Sequence, residues 1–298
     1  MSGPNFADRD GKIWFNGELI EWRDAKVHVL THGLHYASSV FEGERMYGGT
    51  IFKLRQHTER LFFSAGELGF EIPYSVEEID AACNLVCEAN GITEGYIRPV
   101  AWRGSEMMGV SAQDNKINVA IAAWEWPSYF SPEARMNGIK LQLSKWKRPS
   151  AETEPVHAKA AGLYMICTLS KHTAEAAGFQ DALMLDYRGQ VAEATGANVF
   201  FVMPDGKLHT PTPDCFLNGI TRQTVIELAK KRGIEVVERA IMPEEMADAT
   251  ECFLTGSAAE VTPVSLIGDY TFTPGEICRQ MMEDYDRAVG KTSAEAAA

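Results

Sequence analysis

Apolar residues recur along this chain with two periods, and the switching between them predicts a mixed architecture of strands and helices. KIWFNGE near Lys12 and YIRPVAW at 96–102 interleave aromatic or β-branched residues with others, the period-2 pattern of strands. Between them, LRQHTERLFFSAGELG sets Leu54, His57, Leu61 and Ala65 at helical spacing. SVEEIDAACNLVCEANG opens on Ser75 with Glu78 three residues later, a capping box, and stops at Gly91. INVAIAAW at 117–124 predicts a buried strand. WPSYFSPEARMNG at 126–138 mixes Pro, Ser and Gly between two strand-like runs and predicts a linker.

The second half starts with a strand, IKLQLSKW, then a polar connection, KRPSAETEPVHAK, and a helix from about Ala161 to Gly178. DALMLD, QVAEAT and NVFFVM follow as strands, the first two joined by a turn at Tyr187, Arg188 and Gly189. TRQTVIELAKKRG predicts an amphipathic helix closed by Gly233, and ECFLTG and VTPVSLIG complete the strands. The tail GKTSAEAAA is expected to fray. The expected organisation is α/β (α+β) in two domains: a small one at 1–125, a linker at 126–138, and a larger one at 139–298.

Length and composition narrow the function. The 298 residues carry 45% hydrophobic and 23% charged side chains, the profile of a globular chain. A net charge of −13 disfavours phosphate backbones and anionic membrane surfaces as partners. There is no run of about 20 apolar residues and no secretory or transit pattern at the start, so a cytoplasmic protein is expected. Six scattered cysteines without ligand spacing read as buried thiols, and no metal is expected. No G-x-G-x-x-G or Walker sequence occurs.

Four short segments carry candidate chemistry. Lys159 stands among Ala158, Ala160 and Ala161; loss of hydration there lowers an amine's proton affinity and suits a Schiff-base nucleophile. Composition alone favours a surface lysine at a helix start. Glu193 ends a strand-like run before small residues, fitting either a turn carboxylate or a partner for a protonated ring nitrogen. Gly219, Ile220 and Thr221 open a helix, where unpaired N–H groups suit a phosphate. Gly256 and Ser257, with two alanines, form a turn able to offer N–H groups and a hydroxyl to an anion, or a plain strand connection.

In the order HAKAAGLY, EATGANVF, LNGITR and TGSAAEVTP, preceded by VHVLTHGLHYASSVFEGERMY and YIRPV, the chain resembles the fold-type IV pyridoxal phosphate aminotransferases. The resemblance runs from about Ile13 to Ile267 and is strongest to the branched-chain amino acid group. It implies a two-domain, D-amino acid aminotransferase-like fold with pyridoxal 5′-phosphate between the domains. By resemblance, Lys159 forms the Schiff-base link and shuttles the proton between Cα and C4′. Glu193 holds the pyridine nitrogen protonated, and Tyr164 hydrogen-bonds the phenolate oxygen. Arg60 clamps the phosphate with the backbone of Ile220 and Thr221 beside Gly219 and the Ser257 hydroxyl, while Leu217 packs on the ring.

The resemblance also implies a substrate pocket. Phe41 and Arg45 share one face of a strand while Glu42 and Glu44 point to the other, so Glu44, where the family usually has isoleucine, should pair or be solvated away from the site. Tyr36, Tyr96, Trp126 and Tyr129 supply aromatic walls, Arg98 organises the carboxylate end, and the turn of Ser257, Ala258 and Ala259 meets the α-carboxylate. Ala161 in place of glycine and the loop GSEMMGVSAQ at 104–113 depart from the family pattern. The implied reaction moves the amino group between L-leucine, L-isoleucine or L-valine and 2-oxoglutarate. The implied assembly is a homodimer or higher homo-oligomer, with Tyr36 and the Gly109, Val110 loop serving the partner's site. D-amino acid or (R)-amine transamination and aminodeoxychorismate lysis keep Lys159 and Glu193 but change the pocket. A non-catalytic ligand-binding protein explains the composition but not the lysine with its matching acid.

Overall fold

The computed structural model describes residues 5–126 and 137–291, and divides into two compact units, Met1–Pro127 with Ala158–Gly162 and Ser128–His157 with Leu163–Ala298. The expected linker at 126–138 lies mostly outside the described residues, as does Tyr129.

The first unit is built on a seven-stranded antiparallel sheet. Its strands are β1 (Lys12–Phe15), β2 (Glu18–Glu21), β3 (Ser39–Phe41), β4 (Glu44–Tyr47), β5 (Thr50–Ile51), β6 (Gly95–Arg103) and β7 (Ile117–Glu125). They run in the order β2-β1-β7-β6-β4-β5, and β3 also pairs with β6. Helices α1 (His32–Tyr36), α2 (Leu54–Glu67) and α3 (Val76–Ala89) complete the unit. Asn16 and Gly17 join β1 to β2 with φ of 49° and 101°, the left-handed backbone that a two-residue hairpin needs. Both hydrogen bonds of the Ser75–Glu78 capping box form, which starts α3 at Val76.

Leu61 and Ala65 of α2 and Ile79, Cys83, Val86 and Cys87 of α3 pack on Val40, Met46, Ile97, Ala101 and Ile121 of the sheet. Alternation then leaves Phe41, Arg45, Tyr96 and Arg98 on the opposite sheet face. β3 and β4 are separate strands although their register against β6 is continuous, Phe41 opposite Val100 and Glu44 opposite Ile97. The Glu42 N–H donates to the Pro99 carbonyl at 2.9 Å, but proline has no N–H to return.

That register puts Glu44 on the core face, and it corrects the expectation of pairing or solvation. The side chain is 0% exposed beneath α3, and neither carboxylate oxygen has a hydrogen-bond partner. Burial, then the charges of Glu42 and Asp80, hold its pKa well above the usual carboxylate range.

The second unit contains β8 (Ile139–Leu143), β9 (Asp181–Leu185), β10 (Val191–Ala194), β11 (Asn198–Val202), β12 (Leu208–Pro211), β13 (Val236–Arg239), β14 (Glu251–Gly256), β15 (Glu260–Ile267) and β16 (Tyr270–Thr271). Its helices are α4 (Met165–Ala176), α5 (Ile220–Lys231) and α6 (Glu276–Ala288). The sheet order β10-β9-β8-β15-β14-β11-β12-β13, with β10 also bonded to β11, turns six strands into a closed ring. The pair that closes it is Glu193 opposite Asn198. Leu141, Leu183, Val199, Leu254 and Val264 belong to one buried cluster, while α5 and α6 pack against β14 and each other. The connections are not all hairpins, because β8 runs parallel to both β9 and β15. The helix expected from Ala161 begins as a 3-10 turn, Ala161–Tyr164, before α4. All six cysteines are free and buried.

Candidate active site

In the first unit the candidate residues gather around Lys159. Its N–H donates to Ser64 Oγ of α2 at 2.9 Å, and its carbonyl accepts from the Phe41 N–H at 3.1 Å. The next residue, Ala160, forms an antiparallel bridge with Val40, so the lysine segment is laid along β3 like a short extra strand. The amine lies 5.1 Å from the Phe41 ring centroid. Burial, then the neighbouring Arg60 charge, lowers its pKa, while Glu42 opposes the shift. An amine in that state is neutral more often than a surface lysine and is the better nucleophile.

Arg60, on α2, points one turn along from His57. Its Nε and Nη2 donate to Glu42 at 2.6 and 2.7 Å, and the His57 ring nitrogen Nδ1 lies 2.7 Å from the same carboxylate. Burial alone would protonate Glu42; Arg60 and then His57 outweigh it and hold the acid far below the usual carboxylate range. Burial lowers His57 against the pull of Glu42, which makes it a neutral donor.

On the open face of the sheet, Arg98 donates from Nη2 to the Tyr96 hydroxyl at 3.1 Å, and its guanidinium carbon lies 4.8 Å from the Phe41 ring. Arg98 Nε is buried without a hydrogen-bond partner, an orphaned donor beside the amine cluster. Tyr96 packs against Trp124 and Trp126 at 5.3 and 5.5 Å between ring centroids. Its hydroxyl lies across Gly43, where a Cβ would sit 1.8 Å from that oxygen. Arg45 is buried with its guanidinium carbon 5.1 Å from the Tyr47 ring. Tyr36 belongs to a different patch: it is exposed, stacked on His32 at 4.6 Å, with its hydroxyl 3.4 Å from the Met108 carbonyl. Glu106 of the divergent loop accepts from the Lys116 N–H at 3.1 Å and is tied to its own hairpin.

In the second unit, Glu193 sits at the seam of the closed ring. Asn198 Nδ2 donates to its Oε2 at 3.2 Å and to the Leu217 carbonyl at 2.9 Å, while Asn198 Oδ1 accepts from the Gly219 N–H at 3.1 Å. One asparagine thus links the acid to the loop that delivers Leu217, Gly219 and α5. That helix has no side-chain cap, so the first-turn N–H groups at Ile220 and Thr221 suit an anion. Tyr164 is half-buried at the end of the 3-10 turn. Ser257, Ala258 and Ala259 form the turn from β14 to β15. It is locked by Glu260 at φ 56°, whose carboxylate accepts from Lys291 Nζ at 2.6 and 2.7 Å.

The sequence reading passed over Glu42, His57, Ser64, Arg148 and Asn198. All five lie in segments quoted for other reasons, Asn198 for example in EATGANVF, but none was given a role in the site, and the alternation of Glu42 away from Phe41 hid its hold on Arg60. The residues present fit pyridoxal 5′-phosphate: a desolvated amine, an orphaned arginine donor, a buried carboxylate and an uncapped helix start supply the groups it requires.

Comparison with known proteins agrees. Residues 39–267 match the family described as Amino-transferase class IV. The chain is 42% identical over 300 residues to the branched-chain-amino-acid aminotransferase of Pseudomonas aeruginosa, covering 98% of this chain and 97% of that one. Among solved structures, the branched-chain aminotransferase of the archaeon Thermoproteus uzoniensis with norvaline superposes with a TM-score of 0.90 at 36% identity, covering 96% of this chain and 97% of that one. A second branched-chain amino acid aminotransferase, from T.th., superposes in its form with pyridoxamine 5′-phosphate with a TM-score of 0.91 at 40% identity, covering the same shares. Complexed with N-(5′-phosphopyridoxyl)-L-glutamate, that protein gives 0.89 at 39% identity, again over 96% and 97%.

Proposed function

Because the chain belongs to the class IV aminotransferase family, we propose that it is a branched-chain amino acid aminotransferase, exchanging the amino group of L-leucine, L-isoleucine or L-valine with 2-oxoglutarate. The observation that carries this is Lys159: an amine with lowered proton affinity, stitched to α2 and β3 and flanked by Arg60 and Arg98.

Bound here, pyridoxal 5′-phosphate supplies a conjugated ring that accepts the electron pair released when an amino acid loses its α-proton. Lys159 would hold the cofactor through its amine and, once the substrate amine has freed it, would be the base that takes the proton from the substrate Cα. Glu193 would hold the ring nitrogen protonated, and Tyr164 would donate to the phenolate oxygen. Arg60, the Ile220 and Thr221 N–H groups and the Ser257 hydroxyl would bind the phosphate, with Gly219 allowing close approach and Leu217 offering an apolar contact for the ring. Phe41, Arg45, Tyr96 and Trp126 shape the side-chain pocket. Arg98 with the turn at Ser257, Ala258 and Ala259 receives carboxylates, which lets one pocket take both an aliphatic side chain and glutamate.

We assign the enzyme to the cytoplasm; no helix among the described residues is long and apolar enough to cross a membrane. It works as a homodimer or larger homo-oligomer, in which Tyr36 and the loop at Gly109 and Val110 serve the partner's site. Supporting this, Val27, Val29, Leu34 and Tyr36 are exposed beside exposed Met107 and Val110, and His32 Nε2 lies 3.1 Å from the Gly109 carbonyl. Purified enzyme is expected to be yellow and bleached by borohydride, and Lys159→Ala to lose the reducible linkage and turnover together. A colourless protein, inert after cofactor addition, overturns the proposal. A donor panel of L-Leu, L-Ile, L-Val, D-Ala and (R)-1-phenylethylamine tests the substrate; activity with D-Ala or the amine and none with L-Leu replaces it.

A further inference from the structure

Arg148 is a buried cation that the proposed chemistry does not use. Its N–H donates to the Leu185 carbonyl at 2.8 Å, and it bridges Asp186 at the end of β9 just before Pro149 ends the pairing. That backbone anchor turns the side chain into the second unit, where Arg148 is 4% exposed. Its Nε lies 3.4 Å from Glu193 Oε1, and Nη1 lies 3.4 Å from the Leu163 carbonyl and 3.5 Å from Cys167 Sγ. The contact with the Leu163 carbonyl is long, the Cys167 sulfur is a weak acceptor, and Nε has no hydrogen bond of good geometry. Packing alone gives little reason for a guanidinium here, since its desolvation is costly unless an anion pairs with it.

Of the titratable groups around Arg148, Glu193 favours its charge most, ahead of Cys167 and Tyr164. Asp186, its backbone neighbour, is occupied by Arg188 at 2.7 Å. Cys167 is kept a neutral thiol, pushed up to about 11 by burial. Arg148 therefore joins the acid of the ring seam to the 3-10 turn that carries Tyr164.

We propose that Arg148 is a positioning residue for Glu193, anchoring the carboxylate at the seam and keeping the negative charge on it. The proposal rests on the assignment of Glu193 to the ring nitrogen of the cofactor. A proton shared between that nitrogen and a Glu193 oxygen sits on whichever is the more basic. A cation 3.4 Å from the carboxylate stabilises its anion directly, and so lowers the basicity of the Glu193 oxygens. Removing the cation raises that basicity, and the proton moves from nitrogen to Glu193.

The test is the ring ¹⁵N resonance of labelled pyridoxal 5′-phosphate bound to the enzyme at pH 7.5, with cofactor affinity measured alongside. Wild type is expected to show a protonated nitrogen. R148M and R148Q are expected to move the resonance more than halfway to the unprotonated position and to weaken cofactor binding at least fivefold. R148Q retains donor N–H groups without the charge, and R148K, which restores the charge, is expected to return toward wild type. A wild-type resonance in either neutral variant overturns the proposal. E193Q separates it from the underlying assignment: if E193Q also keeps a protonated nitrogen, the role of Glu193 itself is wrong.

Discussion

Replacing Glu44 should make this protein more stable, and increasingly so as pH rises. The side chain is fully buried among Cys83, Glu42 and Asp80, and burial raises its pKa, so the native state keeps this proton to higher pH than the unfolded chain does. The unfolded chain releases that proton near the ordinary glutamate value of about 4.3. Above that pH the native state binds more protons than the unfolded state, so stability falls as pH rises. The slope reaches about 1.4 kcal/mol per pH unit until the native pKa is passed. Below about pH 4.3 this contribution vanishes. Glu44→Gln, neutral at every pH, removes the slope. Glu44→Ile also removes two unsatisfied buried oxygens, adding about 1–3 kcal/mol.

Urea unfolding followed by tryptophan fluorescence suits the measurement, because five of the six tryptophans, Trp14, Trp22, Trp102, Trp124 and Trp126, belong to the first unit. The stability difference between E44Q and wild type should be smallest near the unfolded glutamate pKa of about 4.3 and grow as pH rises above it. A difference that stays constant with pH refutes the argument, since Glu44 would then have the same proton affinity folded and unfolded.

Other outcomes follow from single contacts. Gly43→Ala puts a Cβ 1.8 Å from the Tyr96 hydroxyl, breaking its contact with Arg98; KM for the amino donor should rise about tenfold, the worth of a hydrogen bond to a charged group, with cofactor affinity unchanged. In Gly219→Ala the Cβ lies 2.3 Å from Asn198 Oδ1, and here cofactor affinity should drop at least about tenfold, read by titration of the apoenzyme. Ser75→Ala removes the start of α3 and should cost the first unit about 1 kcal/mol in the same urea assay, with no change in KM.

What the sequence made legible was local. The capping box at Ser75, the hairpin residues at Tyr187 to Gly189 and the helix closed by Gly233 each depend on neighbours within a few positions. α6 was readable by the same rule, with Cys278, Met281 and Tyr285 on one face, yet was passed over. The contacts that arm the site are not local. Ser64 meets Lys159 across 95 positions, Arg148 meets Glu193 through a ring of strands, and Glu42 reaches Arg60 on a helix. Only the pairing of strands brings such residues together, and periodicity carries no record of it. Glu44 shows the converse: the face was deduced correctly, but a polar residue says nothing about how deep that face is buried.

The five residues Ala158–Gly162 belong to the first unit although the chain on both sides belongs to the second. Lys159 is therefore lent by one body to the other. A fragment ending at residue 127 carries Glu42, Arg60 and Arg98 but no reactive amine, and a fragment starting at 128 carries the amine without the groups that lower its proton affinity. Neither body can be exchanged for a foreign counterpart without disturbing the nucleophile. A crossover at residue 127 would part the amine from Glu42 and Arg60, so substitutions at 158–162 are constrained by the first unit and not only by their neighbours in sequence.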